Sequence, residues 1–66
     1  MKLSKREQEI IELLSNGCSD KEIATQLEIS TRTVQTHVMR IVMKLNARNR
    51  TNAVATYIRQ YSVIFA

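Results

Sequence analysis

The sequence predicts an all-α fold, a compact domain of four helices that contains a helix-turn-helix. The 66 residues include no proline and a single glycine, so few positions interrupt a helix. Apolar residues recur at helical spacing in four segments, and a serine or asparagine precedes each of them as a helix cap. These signals predict helices at residues 5–16, 20–27, 31–45 and 50–61. Residues 1–66 are expected to form one domain.

The first two predicted helices begin with the same pattern. Ser4 is followed three residues later by Glu7, and Ser19 by Glu22, which is the spacing of a capping box. Gly17 suits the left-handed position that ends a helix. The apolar faces comprise Ile10, Ile11, Leu13 and Leu14 in the first helix, and Ile23, Ala24 and Leu27 in the second.

The third predicted helix carries one buried stripe. Its apolar positions are Val34, Val38, Ile41 and Leu45. At 100° per residue, the side chains that point away from the stripe are Arg32, Thr36, Met39, Arg40 and Met43. Thr33 and Gln35 lie on its flanks.

The fourth predicted helix follows Asn49, which is expected to cap it. One side of it carries Ala53, Val54, Tyr57, Ile58 and Tyr61. Part of this side is expected to cover the core and part to be free for a partner. The apolar residues 62–66 are too few to pack alone.

Charge is divided along the chain. Residues 1–28 carry four basic and six acidic side chains, whereas residues 29–66 carry six basic and no acidic ones. The change falls between the second and third helices. A solvated helix face normally mixes both signs, so this division indicates a surface that binds phosphate.

The cap of the third helix differs from the first two. Ser30 is the cap, and Thr33 stands where a capping glutamate would be. A carboxylate there would occupy backbone N–H groups and repel phosphate. Thr31, Arg32 and Thr33 therefore leave this helix end free to bind an anion.

The second and third helices have the pattern of a DNA-reading helix-turn-helix. Ala24 is small enough for a close helix crossing, and apolar residues occupy both helices and the turn. Many such turns open with glycine, but this one opens with Glu28. An ordinary helical hairpin has the same apolar spacing and remains the alternative on spacing alone.

Several motifs in order resemble the LuxR/FixJ-type, GerE-like DNA-binding domain of bacterial transcription regulators. The matching stretches are residues 3–7, 17–24, 29–37, 44–45 and 50–54, within about residues 3–61. The resemblance implies that the third helix reads the major groove and the fourth pairs two copies. The family tolerates residues other than glycine at the position of Glu28. Asp20 departs from the common asparagine and places a negative charge beside an expected DNA-backbone contact.

Geometry and the resemblance together select the DNA-contacting residues. The expected base contacts are Gln35, Thr36, Met39 and Arg40, the last of which can also reach a phosphate. Glutamine pairs with adenine and the methyl groups of Thr and Met pack on thymine, so an A·T-leaning core site is expected. The expected phosphate contacts are Lys21, Thr31, Arg32, Thr33, Lys44, Arg48 and Arg50, with Ser19 and Asn49 as weaker candidates. The expected dimer interface comprises Val54, Tyr57, Ile58 and Tyr61.

No enzyme is expected. Cys18 and His37 lack a third orienting group, and His37 is expected to be a half-buried residue bonded to a carbonyl or helix end, or else a phosphate contact. Glu7, Glu9 and Glu12 are expected to serve capping and solubility. No metal, cofactor, small-molecule ligand or membrane contact is expected, and the location is expected to be cytoplasmic, at the nucleoid when bound to DNA.

The favoured function is that of a sequence-specific transcription regulator, or its output domain. The expected partners are double-stranded DNA and a second copy of the chain, with RNA polymerase as a further candidate. A sigma-factor-like promoter-binding domain is one alternative, and residues 44–54 favour the regulator over it. A protein-interaction module that uses the apolar fourth helix is the other.

Overall fold

A computed structural model of the chain describes residues 2–62, with side chains for residues 2–60. Four helices form, with bounds α1 Lys5–Ser15, α2 Asp20–Leu27, α3 Thr31–Lys44 and α4 Arg50–Ser62. Residues 2–62 contain no strand. Each predicted helix bound agrees with the structure to within one residue, so the all-α, four-helix prediction is confirmed.

Helix α3 lies at the centre of the packing. It packs against α1, α2 and α4, and α1 likewise packs against the other three helices, whereas α2 and α4 do not pack on each other. The core comprises Ile10, Ile11, Leu14, Ile23, Ala24, Val34, Val38, Ile41, Ala53 and Tyr57. The predicted stripe of α3 is therefore buried, with Leu45 packed at its margin.

The serine caps form as predicted at α1 and α2. The backbone N–H of Glu7 donates to Ser4 Oγ at 3.2 Å, and the Ser4 N–H donates to Glu7 Oε1 at 2.8 Å. Ser19 and Glu22 make the same reciprocal pair at 3.1 and 2.8 Å. Two backbone donors that would otherwise lack partners are satisfied at each helix start.

Three helices end in one repeated motif with a left-handed residue. These residues are Gly17 (φ 91°), Glu28 (φ 57°) and Asn46 (φ 54°). In each case the left-handed residue and the one after it donate backbone N–H groups to the last turn, as Ile29 does to the Ala24 carbonyl at 3.0 Å. This is the Schellman arrangement, so the α2–α3 turn is closed without glycine.

Glu7 corrects one prediction. Only 3% of Glu7 is exposed, because it lies on the same side of α1 as Ile10, Ile11 and Leu14. Its carboxylate contacts the ammonium of Lys44 on α3 at 2.8 Å. The capping role is confirmed, but the solubility role is wrong for this residue, because a buried side chain cannot present its charge to solvent.

Two classes of feature are missing from the part of the chain that the structure describes. None of the helices there combines the length and the apolar character that crossing a membrane requires. No three His, Cys, Asp or Glu side chains within residues 2–60 are grouped so that they could hold a metal ion.

Candidate DNA-binding surface

The outward face of α3 is exposed and carries no acidic residue. The buried stripe of α3 packs in the core, so the residues on the opposite side of the helix project into solvent. The exposed residues of α3 are Thr31, Arg32, Thr33, Gln35, Thr36, Met39, Arg40 and Met43. The major groove of B-form DNA is wide enough to admit an α-helix.

The predicted base-contacting side chains lie together on this face. Gln35 and Arg40 are exposed, and neither side chain has a hydrogen bond or ion pair to another described residue. Met39 is 66% exposed, which is unusual for so apolar a side chain. The Thr36 hydroxyl donates to the Arg32 carbonyl at 3.1 Å, which leaves the methyl group of Thr36 for apolar contact.

The start of α3 is open. Ser30 Oγ accepts the N–H of Thr33 at 3.0 Å, and the Thr33 hydroxyl bonds to the Ser30 hydroxyl at 2.8 Å. No side chain reaches back to the Ser30 N–H, in contrast to Ser4 and Ser19. The backbone N–H groups of Ser30, Thr31 and Arg32 thus have no partner among the described residues. These exposed donors and the helix dipole favour an anion.

The predicted phosphate-contacting cations fall into two groups. Lys21, Arg32 and Arg48 are exposed, and their side chains make no ion pair with a described residue. Lys44 and Arg50 instead contact acidic residues from the first half of the chain. Two of the six cations that follow Glu28 in the sequence are therefore neutralised in the folded domain.

The Lys44 ammonium is directed inward. It contacts Glu7 Oε1 at 2.8 Å, and the Lys44 side chain is 27% exposed. Burial on its own would raise the pKa of Glu7, but the Lys44 ammonium and the Ser4 N–H offset this and hold the pKa below its ordinary value. A phosphate contact by Lys44 stays a prediction, and it competes with this buried pair.

Arg50 joins the starts of two helices. Its Nη2 lies 2.6 Å from Asp20 Oδ1, which links the first residue of α4 to the first residue of α2. Asp20 Oδ1 is buried and has no partner with hydrogen-bond geometry, so the contact is an ion pair rather than an aligned hydrogen bond. Arg50 is 42% exposed and keeps part of its guanidinium open to solvent.

The loop before α4 is held by two asparagines. Asn49 Oδ1 accepts the N–H of Asn52 at 2.8 Å, which confirms Asn49 as the cap. Asn52 Oδ1 accepts the N–H of Arg48 at 3.1 Å. The backbone at Arg48 is therefore fixed, while its side chain stays exposed.

The predicted dimer residues do not form one surface. Ile58 is 42% exposed and Val54 is half-buried, so both can reach a partner. Tyr57 is only 8% exposed, and its hydroxyl donates to Glu12 Oε2 at 3.0 Å. Its side chain belongs to the core instead. The side chain of Tyr61 lies outside the described residues.

The helix arrangement and the sequence together identify the family. The GerE profile, described as bacterial regulatory proteins of the luxR family, matches residues 1–57. The chain belongs to the luxR family. The prediction that the sequence resembles a LuxR-type domain is thereby confirmed.

Similar luxR-family proteins are longer than this chain. The uncharacterized transcriptional regulatory protein YxjL of Bacillus subtilis (strain 168) is 45% identical over 56 residues, which span 85% of this chain and 26% of that protein. The response regulator protein VraR of Staphylococcus aureus (strain Mu3 / ATCC 700698) is 44% identical over 62 residues, spanning 94% and 29%. The chain thus spans less than a third of these relatives.

A solved structure is similar throughout most of this luxR-family domain. The crystal structure of the response regulator ChrA in a heme-sensing two-component system aligns with a TM-score of 0.81 and 43% identity. The alignment covers 91% of this chain and 29% of that one.

His37 and Cys18 are both partly buried in this luxR-family domain. His37 is half-buried, as predicted, but its Nδ1 is buried without a hydrogen-bond partner among the described residues. The expected bond to a carbonyl or helix end is therefore absent at that nitrogen. Cys18 is a free, partly buried thiol that packs against the core.

Sequence reasoning missed both long-range ion pairs. Glu7 offered a usable signal, because it precedes Ile10, Ile11 and Leu14 by three, four and seven positions and so shares their face. Asp20 and Arg50 offered no signal of pairing. They lie thirty residues apart, and only the relative placement of α2 and α4 brings them together.

Proposed function

We propose that this domain binds double-stranded DNA in a sequence-specific manner as the output domain of a bacterial transcription regulator. The outward face of α3 carries the proposal, because it is exposed, free of acidic residues and supplied with unbonded polar groups at Gln35 and Arg40. We place α3 in the major groove with Gln35, Thr36, Met39 and Arg40 at the base edges. The names of YxjL and VraR describe regulatory proteins and support this assignment.

Phosphate contacts hold the domain in register on the duplex. The proposed first contacts are the free cations Lys21, Arg32 and Arg48 and the open start of α3 at Thr31 and Thr33. Lys44 and Arg50 contribute only as far as their internal ion pairs allow. Contacts of this kind set affinity and orientation but carry no sequence information.

Two copies bind together through the exposed part of α4, around Val54 and Ile58. Two-fold pairing places the two copies of α3 about one helical turn apart, roughly 10 base pairs between half-site centres. RNA polymerase is a further partner of the whole regulator, which we place in the cytoplasm, at the nucleoid when bound to DNA. Membership of the luxR family favours this regulator over a sigma-factor-like promoter-binding domain.

Selection from a random pool of duplexes tests the proposal most directly. We expect an A·T-leaning core site, with Gln35 on adenine and two half-sites per enriched sequence. Enrichment of G-rich half-sites, with a Gln35→Ala variant that loses its preference at guanine, would contradict this assignment. Failure to retain any duplex at low salt would favour a protein-interaction module.

A matched pair of variants separates phosphate contact from general charge. Arg32→Ala is expected to weaken binding to all sequences alike and to flatten the dependence of log K on log salt by about 0.9. Lys5→Ala removes the same charge from the exposed first residue of α1, outside the helix-turn-helix, and should change the slope much less. Fluorescence anisotropy of labelled duplexes from about 50 to 300 mM salt provides the measurement.

A further inference from the structure

Asp20 occupies an unfavourable place for a carboxylate in a phosphate-binding surface. It is the first residue of α2 and lies between Ser19 and Lys21, both of which we consider phosphate candidates. A third candidate, Arg50, touches it at 2.6 Å. One negative charge therefore stands among three groups that would otherwise attract a phosphate.

The Asp20–Arg50 ion pair does not connect packed helices. Helices α2 and α4 make no packing contact with each other, and each is anchored separately through α1 and α3. The Arg50 side chain is 42% exposed and the Asp20 side chain 18% exposed, so solvent screens the pair in part and its contribution to folding is modest. Asp20 also stands in the first turn of α2, where a carboxylate suits the helix dipole, so stability accounts for part of its role and leaves room for an effect on binding.

The pair has a clear electrostatic effect on the surface. Arg50 bound to Asp20 forms a unit without net charge, so a phosphate that approaches Arg50 also meets the carboxylate. Counterion release on binding depends on the net positive charge brought to the phosphates. An arginine that is already neutralised adds little to it.

We infer that Asp20 limits the affinity of the domain for duplex DNA by holding Arg50 in a neutral ion pair for which phosphate must compete. This inference rests on the proposed DNA-binding function and concerns affinity for all sequences, because neither side chain lies on the base-reading face of α3. Asp20 is thus an affinity-setting residue rather than a DNA contact.

The decisive variant is Asp20→Asn, which keeps the size of the side chain and removes its charge. We expect the slope of log K against log salt to steepen by about 0.9. Relative to the native chain, the affinity advantage of the variant should therefore grow about fivefold between about 0.3 M and 0.05 M salt, for specific and non-specific duplexes alike. Fluorescence anisotropy over a salt series measures both quantities, and thermal denaturation checks that the variants are folded.

Two control variants isolate the effect of position. Glu9→Gln also raises the net charge by one, but it removes a carboxylate of α1 that contacts only Arg6, at 3.7 Å, among the described residues. It should change affinity less than about twofold, because Glu9 lies on α1, outside the helix-turn-helix, and salt screens exposed charges. Asp20→Glu retains the charge and should keep a slope close to that of the native chain.

The possible outcomes separate the inference from the function on which it rests. Salt-dependent binding by the native chain with equal or weaker binding by Asp20→Asn would overturn the inference alone. Equal gains for Asp20→Asn and Glu9→Gln would also overturn it, because net charge would then suffice. Absence of salt-dependent duplex binding in every variant would overturn the proposed function itself.

Discussion

At the scale of single residues, the outward face of α3 and the Glu7–Lys44 pair differ in how much the fold depends on them. Residues on the outward face of α3 make few internal contacts, so their substitution should change binding and leave folding intact. Glu7 and Lys44 are in the opposite situation, since one buried carboxylate and one ammonium satisfy each other. Substitution by alanine should therefore change DNA binding at Gln35 and the stability of the fold at Lys44.

Met39 should recognise thymine through its methyl group. Its side chain is 66% exposed and carries no strong hydrogen-bonding group, so apolar contact is its main interaction. Replacing the contacted thymine by uracil removes one methyl group and should weaken native binding about fourfold, the equivalent of about 0.8 kcal/mol. In the Met39→Ala variant the same replacement should have little effect, as a double-mutant cycle by anisotropy would measure.

Met43 provides the control for this cycle. It is the same residue type one turn later on α3 and is 75% exposed. Met43→Ala should keep the full loss on thymine-to-uracil replacement. An equal response of the two variants would contradict a specific contact by Met39.

The Glu7–Lys44 pair should make the domain sensitive to acid. Because the pKa of Glu7 in the folded domain lies below its ordinary value of 4.5, the carboxylate stabilises the fold above that pH. This contribution is lost as the pH falls through the lower pKa of the folded state. Thermal denaturation between about pH 7 and pH 3 should show a smaller loss of stability for Glu7→Gln than for the native chain.

Removing only the Lys44 cation should destabilise the domain more than removing both charges of the pair. Lys44→Met leaves a buried carboxylate without its partner and should destabilise the domain by about 3 kcal/mol at neutral pH. Adding Glu7→Gln to that variant should restore most of the loss. A double variant as unstable as Lys44→Met would show that the pair is not the cause. Any DNA-binding assay of Lys44 should therefore use this double variant, in which folding is kept.

At the scale of helices and turns, the left-handed residues that end α1, α2 and α3 should differ in backbone strain. Glu28 adopts φ 57° and ψ 45°, a left-handed conformation that costs a residue with a Cβ about 1–2 kcal/mol. Glycine removes this cost but gains freedom in the unfolded chain, so Glu28→Gly should stabilise the domain by about 0.5–1 kcal/mol. Urea denaturation measures the difference.

Two further positions check the same argument. Asn46 has φ 54°, but asparagine tolerates this region, so Asn46→Gly should stabilise less than Glu28→Gly. Gly17 has φ 91°, and a Cβ added there would meet no atom within 4 Å, so Gly17→Ala should destabilise through backbone strain alone. Stabilisation by Gly17→Ala would contradict the shared explanation.

Helix starts, and those helix ends that carry a glycine, are predictable because their determinants are local. A capping serine and a glutamate three residues later are adjacent in space whenever the helix forms, as at Ser4 and Glu7. The left-handed role of Glu28 is not predictable, because glutamate has no intrinsic preference for that conformation. The structure closes that turn through backbone hydrogen bonds, which any residue except proline can supply.

At the scale of the whole molecule, association through α4 should depend on Ile58. This side chain is 42% exposed, so Ile58→Glu should leave the monomer folded while opposing apolar contact between two copies. Sedimentation with a two-half-site duplex should show one copy bound where the native chain binds two. Gln60→Glu adds the same charge two residues along α4, at another exposed position, and should retain pairing. Monomer binding by the native chain would contradict the dimer.

The outward face of α3 can be predicted from helical spacing, whereas the contacts between distant helices cannot. Glu7 and Lys44 are 37 residues apart, and Glu12 and Tyr57 are 45 apart. Periodicity assigns each residue to a face of its own helix but does not fix how the helices are rotated against one another. For this reason periodicity places Tyr57 on the apolar side of α4 but does not decide between a dimer interface and the core, where its side chain lies.

The central position of α3 has a consequence for how such a domain can diversify. One side of the helix is locked against three neighbours, while the other side supports nothing else among the described residues. Under the proposed function, changes at positions 35, 36, 39 and 40 should therefore alter the preferred operator at almost no structural cost. A library randomised at these four positions should therefore keep the fold of the domain while its members select different duplex sequences, because the buried stripe of α3 is unchanged.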